Sequence, residues 1–272
     1  MDKISLAGDL GSGKSTVSRI LIDRLGAEYY STGRIVRDIA ERMGMTICEL
    51  NTYMETHPEI DAEIDDGLRG LALDERLLVI DSRMAWHFTP DTFKVYLTVD
   101  LETSAARIMF ANRKGEHRDS IENTVEDTRR RRESERQRYL SLYGVDIEEL
   151  LNYTLVVDTT DATPETVAET IIAAFKLWQT DRQRRVAYIS PLRLLYTDDE
   201  VDMETVMTRS DLLTLGEEIE PVEVFYEDGD FYVESGTESA LAYAFNMTEL
   251  IPVTLIKSEK GERQFVRMKN SL

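Results

Sequence analysis

Eight residues near the start, Gly8-Asp9-Leu10-Gly11-Ser12-Gly13-Lys14-Ser15, satisfy the spacing G-x-x-x-x-G-K-[ST] at every position. The flanks agree with it. Lys3 to Ala7 is an apolar run suited to a short buried strand, and Thr16 to Ile22 opens an amphipathic helix. Strand, glycine-rich turn and helix start, in that order, aim backbone N–H groups and the positive end of a helix dipole at an anion. Gly8, Gly11, Ser12, Gly13, Lys14, Ser15 and Thr16 are thus expected to cradle a chain of phosphates. Lys14 can reach the outer phosphates of a nucleoside triphosphate, and the Ser15 hydroxyl can ligate Mg²⁺.

Further strand signals alternate with helical ones. They are Glu28 to Ser31, Leu77 to Asp81, Phe93 to Leu97 and Tyr153 to Asp158. Short apolar runs separated by helix-length segments predict βαβ units, hence an α/β fold with a parallel sheet covered by helices on both faces. Helical spacing runs from Ile35 to Met43, from Pro58 to about Arg76, and through the polar stretch Asp119 to Tyr143. Thr163-Pro164-Glu165 is a helix start for the run ending near Trp178. Composition then changes around Gln179 to Arg185. Strands are expected to dominate beyond it: Val186 to Ile189, Val222 to Tyr226, Phe231 to Val233 and Val253 to Ile256. Asp228-Gly229 predicts a hairpin turn, and Glu238 to Asn246 a helix. The expected organisation is a domain over residues 1–180 and a small α+β domain over residues 183–272.

A formal charge of −20 argues against general binding to nucleic acid or membrane surfaces. The single cysteine, Cys48, excludes an intramolecular disulfide, and three scattered histidines offer no metal cluster. Met1 leads straight into the first strand without a leader-like or long apolar segment, which predicts a cytoplasmic protein. The cations are concentrated: ten of the 32 Lys and Arg fall between Arg107 and Arg138. An acidic chain that gathers its positive charge in this way is expected to hold an anionic ligand there.

Asp81 ends a buried strand, where an acid can stand near Mg²⁺ or cap the next turn, and Arg83 follows at the edge where ligands of open α/β sheets bind. Thr32-Gly33 also links a strand to a helix, and Arg37 lies one turn further on. In the run Arg129 to Arg138, Arg131, Glu135 and Arg138 fall at i, i+4 and i+7 on one helix face, with Arg129, Arg132 and Arg136 on a neighbouring one. Guanidinium groups suit phosphate oxygens. Ion pairing with Glu133 and Glu135 is the competing explanation, although exposed pairs contribute only about 0–1 kcal/mol each.

Together these segments resemble the cytidylate kinase family, especially its compact archaeal type. The resemblance rests on the glycine loop, Ser31-Thr32-Gly33 with Arg37, and the run from Arg42-Met43-Gly44-Met45 to His57-Pro58-Glu59-Ile60-Asp61. Asp81-Ser82-Arg83, Arg132 to Tyr139, and Tyr143-Gly144-Val145-Asp146-Ile147 add to it. It implies a P-loop nucleoside monophosphate (NMP) kinase fold over about residues 1–178, with ATP and Mg²⁺ as donor and cofactor and CMP or dCMP as acceptor. It implies Lys14, Arg131 and Arg113 in catalysis, and Thr32, Arg37, Arg83, Arg131, Glu135 and Arg138 around the acceptor nucleotide. Ser15 and Asp81 would serve the metal, and Arg107 and Arg113 would belong to a lid over the transferring phosphates. Asp81-Ser82-Arg83 departs from the commoner Gly-Arg pattern of the family. Two other readings stay open: a P-loop kinase for another small metabolite, and a nucleotide-sensing regulator without turnover. The C-terminal region weakly resembles a ParB/sulfiredoxin-like fold, on Ile189-Ser190-Pro191-Leu192, Glu234 to Ala242 and Ile251 to Ile256. Between Asp198 and Glu249 it carries sixteen acids against the single Arg209. A regulatory or protein-docking role is expected there rather than nucleic-acid binding.

Overall fold

The computed structural model describes residues 2–54, 56–111, 120–197 and 201–270. Its first half is a parallel sheet in the order β2-β3-β1-β4-β5, built from β1 (Lys3–Gly8), β2 (Glu28–Ser31), β3 (Leu78–Asp81), β4 (Thr92–Thr98) and β5 (Leu155–Asp158). Alternation along the strands divides two cores. Ile4, Leu6, Phe93, Val95, Leu97, Leu155 and Val157 face one way, toward α1 (Lys14–Leu25) and α8 (Pro164–Thr180). Ala7, Tyr96 and Val156 face the other way. Pleated strands place successive side chains on opposite faces, so each strand serves both layers.

The helices start where the chain supplies caps. Ser31, Asp100, Ser120 and Thr163 each accept a backbone N–H at the start of α2 (Thr32–Met43), α6 (Leu101–Phe110), α7 (Ile121–Tyr143) and α8. The helix expected from Pro58 to Arg76 is shorter. α4 (Pro58–Gly70) gives way to a single 3₁₀ turn, Leu71–Leu73. An additional helix, α3 (Ile47–Met54), starts with a reciprocal cap between Thr46 and Glu49. With α2 and α4 it forms a separate small core of Ile39, Ala40, Leu50, Met54 and Ile64 beside the sheet edge. A short helix, α5 (Ala85–Phe88), follows β3.

Beyond residue 182 the strands do not form a sheet of their own. β6 (Val186–Ile189) pairs in parallel with β5, and β10 (Ile251–Leu255) pairs antiparallel with β6. β8 (Val222–Glu227), β9 (Asp230–Ser235), β7 (Leu194–Tyr196) and β11 (Val266–Arg267) complete eleven strands in one sheet among the described residues. The expected hairpin is present: Glu227 pairs with Asp230, and Asp228 and Gly229 both have positive φ. Helices are more prominent than expected, with α9 (Met203–Thr214) and α10 (Thr237–Phe245) packed on each other. Ala7, Tyr96, Tyr153 and Val156 share one apolar cluster with Ile189, Val224, Phe231, Leu241 and Ile251, so the core is continuous across residue 182.

A fragment ending at residue 182 would leave the β5 edge unpaired and that cluster uncovered. It is expected to melt several degrees below the full chain and to bind a hydrophobic dye that the full chain excludes. Identical melting of fragment and full chain would show two independent folding units.

Candidate functional site

The glycine loop joins β1 to α1 at the point where strand order reverses, with β3 on one side of β1 and β4 on the other. Open α/β sheets bind ligands in the crevice at such a switch point. Two glycines are required by close approach. A Cβ on Gly8 (φ +146) would lie 2.3 Å from the Leu97 carbonyl oxygen, and one on Gly11 (φ +72) 2.7 Å from that of Ser104. Gly13, also at positive φ, caps α1, and Ser15 and Thr16 stand exposed on its first turn. The buried Ser12 hydroxyl donates to the Asp9 carbonyl at 2.9 Å. Lys14 folds back over the loop, its Nζ donating to the carbonyls of Gly8 and Asp9 at 2.7 Å each.

Lys14 is held in an unusual protonation range. Desolvation in the loop, with the positive Arg83 nearby, lowers it to about 7, against the opposing pull of Asp81, Asp9 and Glu135. The Asp9 side chain secures the loop from beneath. It accepts from Tyr96 Oη (2.8 Å), Thr98 Oγ1 (3.2 Å) and the Val99 N–H (2.9 Å), and Arg132 lies 3.7 Å away.

Asp81 and Arg83 stand next to the loop because β3 pairs with β1. Asp81 accepts from Tyr29 Oη at 2.8 Å, and its carbonyl accepts from Thr32 Oγ1 at 3.4 Å. Arg83 pairs with the buried Glu135, which also meets Arg131 at 3.3 Å. Burial alone would raise the Glu135 carboxyl, but Arg83, Arg131 and Arg138 together hold it below its ordinary range. The helix-face reading of Arg131, Glu135 and Arg138 therefore brings real neighbours together, with Arg83 added from the sheet. Arg138 points onward to α4, 3.9 Å from the buried Asp61, and hydrogen-bonds Tyr139 Oη at 3.3 Å. Asp61 Oδ2 and Arg138 Nε are both buried without a hydrogen-bond partner. Arg37 is exposed on the second turn of α2. Arg113, and with it the central part of the expected lid, lies outside the described residues.

One expectation changes. Each of the four consecutive arginines has a carboxylate of the protein within reach: Arg129 with Glu126, Arg130 with Asp127, Arg131 with Glu135 and Arg132 with Asp9. The run does not need a bound anion to be tolerated. Arg129 and Arg130 are exposed, and only Arg131 and Arg132 turn toward the loop. The Arg107 guanidinium donates to the carbonyls of Thr159 (2.7 Å) and Thr160 (3.2 Å). Sequence reasoning missed Asp9, Arg132 and Asp61 as site residues. It also missed Glu148, whose carboxyl is pushed up to about 7 by burial and by Asp9.

A small cavity beside the loop is lined by Gly8, Asp9, Arg83, Arg132, Glu135 and Glu148. A larger cavity, about 1290 Å³, lies elsewhere, between Arg132 and Arg136 of α7 and Arg193, Tyr226 and Asp230 of the C-terminal half. For a divalent cation the described residues form no cluster of three or more His, Cys, Asp or Glu. Ser15 and Asp81 offer two oxygen donors, a set that suits Mg²⁺, which takes few protein ligands and keeps waters and substrate phosphates.

A lysine-bearing glycine loop at the switch point of a parallel sheet, with arginines gathered across β3, defines a P-loop fold built to hold phosphates. The chain belongs to the cytidylate kinase-like family, which it matches over residues 3–161, more than half its length. It is similar to a cytidylate kinase from Thermoplasma volcanium, 37% identical over 174 residues, covering 62% of this chain and 89% of that one. It is also similar to a cytidylate kinase from Haloarcula marismortui, 34% identical over 192 residues, covering 70% and 97%. A protein from Lacinutrix mariniflava named S-adenosylmethionine-dependent nucleotide dehydratase is 38% identical over 175 residues, 64% of this chain. The match spans 36% of that relative's own length.

A polyphosphate bound over the loop should return Lys14 to its charged form. At about pH 8, with Lys14 near 7 in the free protein, binding of tripolyphosphate is expected to take up close to one proton. Calorimetry in buffers of different ionisation enthalpy reads this uptake, and Lys14→Met should abolish it. The same lowering gives a sign for stability. Between about pH 7 and pH 10 the unfolded chain binds the proton that the folded loop has released, so this lysine makes stability rise with pH across that window.

Proposed function

We propose that the chain is a phosphotransferase acting as an ATP- and Mg²⁺-dependent nucleoside monophosphate kinase, which moves the γ-phosphoryl group of ATP to CMP or dCMP in the cytoplasm. The observation that carries this reading is the convergence of Lys14, Asp81, Arg83, Arg131 and Glu135 on one crevice at the ends of β1 and β3. The family relatives named cytidylate kinase support it.

A phosphate acceptor is already ionised near neutral pH, so the reaction asks for alignment and charge neutralisation rather than a general base. Backbone N–H groups of the loop and the start of α1 hold the donor phosphates, and Lys14 swings from its carbonyl partners onto the outer ones. Bound Mg²⁺ would neutralise charge on the donor phosphates, with Ser15 and Asp81 as its protein ligands. Thr32 and Arg37 receive the acceptor phosphate at the start of α2. Glu135 fixes Arg83 and Arg131 in place, and Arg131 neutralises charge on the transferring group, a role that Arg113 would share. Asp61 Oδ2 and Arg138 Nε, 3.9 Å apart, are both buried without a hydrogen bond. A pyrimidine edge with an amino donor beside ring acceptors would use both, which favours cytosine over uracil. The acidic α+β segment 183–272, with its ParB-like pattern, serves a regulatory or protein partner rather than nucleic acid.

Lys14→Met is expected to lower kcat by at least about 10²–10³-fold with the fold retained, measured as CMP-dependent ADP release. Full activity would remove Lys14 from the mechanism. Across a panel of CMP, dCMP, UMP, AMP and small alcohols, kcat/KM should be highest for the cytidine nucleotides. Asp61→Asn should narrow the gap between CMP and UMP. Preference for an alcohol would reassign the acceptor.

A further inference from the structure

Arg193 lies in the 3₁₀ turn after β6, outside the segment matched by the family, and is 2% exposed. Its guanidinium is shared between the two halves of the chain. Nη1 donates to Asp158 Oδ1 at 3.0 Å and to Thr98 Oγ1 at 3.4 Å, while Nη2 donates to the Gly229 carbonyl in the β8–β9 turn at 2.8 Å. Asp158 and Thr98 end β5 and β4, and both are buried. Thr98 passes the contact on: the hydroxyl that accepts from Arg193 donates to Asp9 Oδ2, and the Asp9 carbonyl holds Lys14. The loop after β5 is gripped on the same side. Asp158 Oδ1 also accepts from the Thr160 N–H and hydroxyl, Ser190 N–H donates to Asp158 Oδ2, and Ser190 Oγ donates to Asp161.

Direction follows from the reaction. In-line transfer sets donor and acceptor on opposite sides of the migrating group. The acceptor residues Thr32, Arg83 and Arg138 lie toward β2, β3 and α4, so the body of the donor extends toward β4, β5 and the loop 158–161. That is the loop Arg193 and Ser190 hold. A buried ion pair is weak evidence for stability, because desolvation offsets most of the attraction. Its use here is geometric: three donor contacts fix two strand ends and a turn in one arrangement.

We propose that Arg193 is a positioning residue for the donor side of the site, setting the phosphate loop through Thr98 and Asp9 and the loop 158–161 through Asp158. Residues 183–272 thereby complete the kinase site in addition to any partner they bind. The inference rests on the kinase reading above.

The test compares full-length wild type with Arg193→Met, Arg193→Lys and Thr98→Val, measuring affinity for a non-hydrolysable ATP analogue and the KM values for ATP and CMP. Loss of a charge-assisted contact should raise KM for ATP and the analogue Kd by about tenfold in Arg193→Met, with KM for CMP within about twofold. Arg193→Lys should recover part of the loss, since a single ammonium cannot span Asp158 and Gly229 together. Thr98→Val, which removes the hydroxyl that joins Arg193 to Asp9 but leaves the Arg193 contacts to Asp158 and Gly229, should weaken the analogue several-fold, and it decides the link to the phosphate loop if Arg193→Met does not fold. Unchanged analogue affinity in a folded variant, or equal losses for ATP and CMP, would overturn the proposal. If wild type binds the analogue without CMP-dependent turnover, the kinase reading falls, and the analogue affinities alone still decide the role of Arg193.

Discussion

The carboxylate of Asp9 is the fixed point on which the phosphate loop rests. Three donors from β4 and the residue after it converge on this side chain, with Arg132 of α7 close behind. A loop of glycines has little side-chain packing to define it, and its conformational freedom must be removed by other means. Here that is done by a buried acid whose lone pairs are filled from the neighbouring strand, and by the close approach of Gly8 and Gly11 to β4 and α6. The carbonyls that anchor Lys14 therefore belong to a frame held from β4 and α6.

Charge around the crevice is arranged so that burial and pairing oppose each other. Desolvation pushes Lys14 toward neutrality, while Glu135 stays ionised because three arginines outweigh its burial. Guanidinium groups without Glu135 would repel one another in a poorly solvated site. With it, Arg83 and Arg131 are oriented before any ligand arrives, and the remaining positive charge is available to phosphate. Such preorganisation lowers the cost of ordering side chains when the substrates bind.

Much of this was legible from residue spacing. The eight-residue motif located the loop, short apolar runs separated by helix-length segments located the sheet, and i, i+4, i+7 spacing placed Arg131, Glu135 and Arg138 on one face. Other features were visible in principle: Thr46-x-x-Glu49 is a capping box, and it begins the helix that was not anticipated. Asp9 was hidden because the motif leaves its position open. The strands β7 and β11 are three and two residues long, and they exist only through pairing with partners elsewhere in the chain. The same applies to Arg107, whose carbonyl acceptors lie more than fifty residues away. Contacts of this kind are decided by tertiary structure, and local pattern carries no trace of them.

The region after residue 182 shows how a compositional boundary and a structural one can differ. Arg182, Arg184 and Arg185 and the acidic stretch beyond them mark a change in surface chemistry. The backbone continues through β5, α8 and β6 as one more parallel crossover, the unit from which the first half is built. Adding a strand to the open edge of a sheet places new residues directly beside the ends of β4 and β5, which border the phosphate loop. An extension attached in this way cannot be neutral toward the crevice: it either braces those strand ends or perturbs them. Arg193, buried between Asp158, Thr98 and Gly229, does the former.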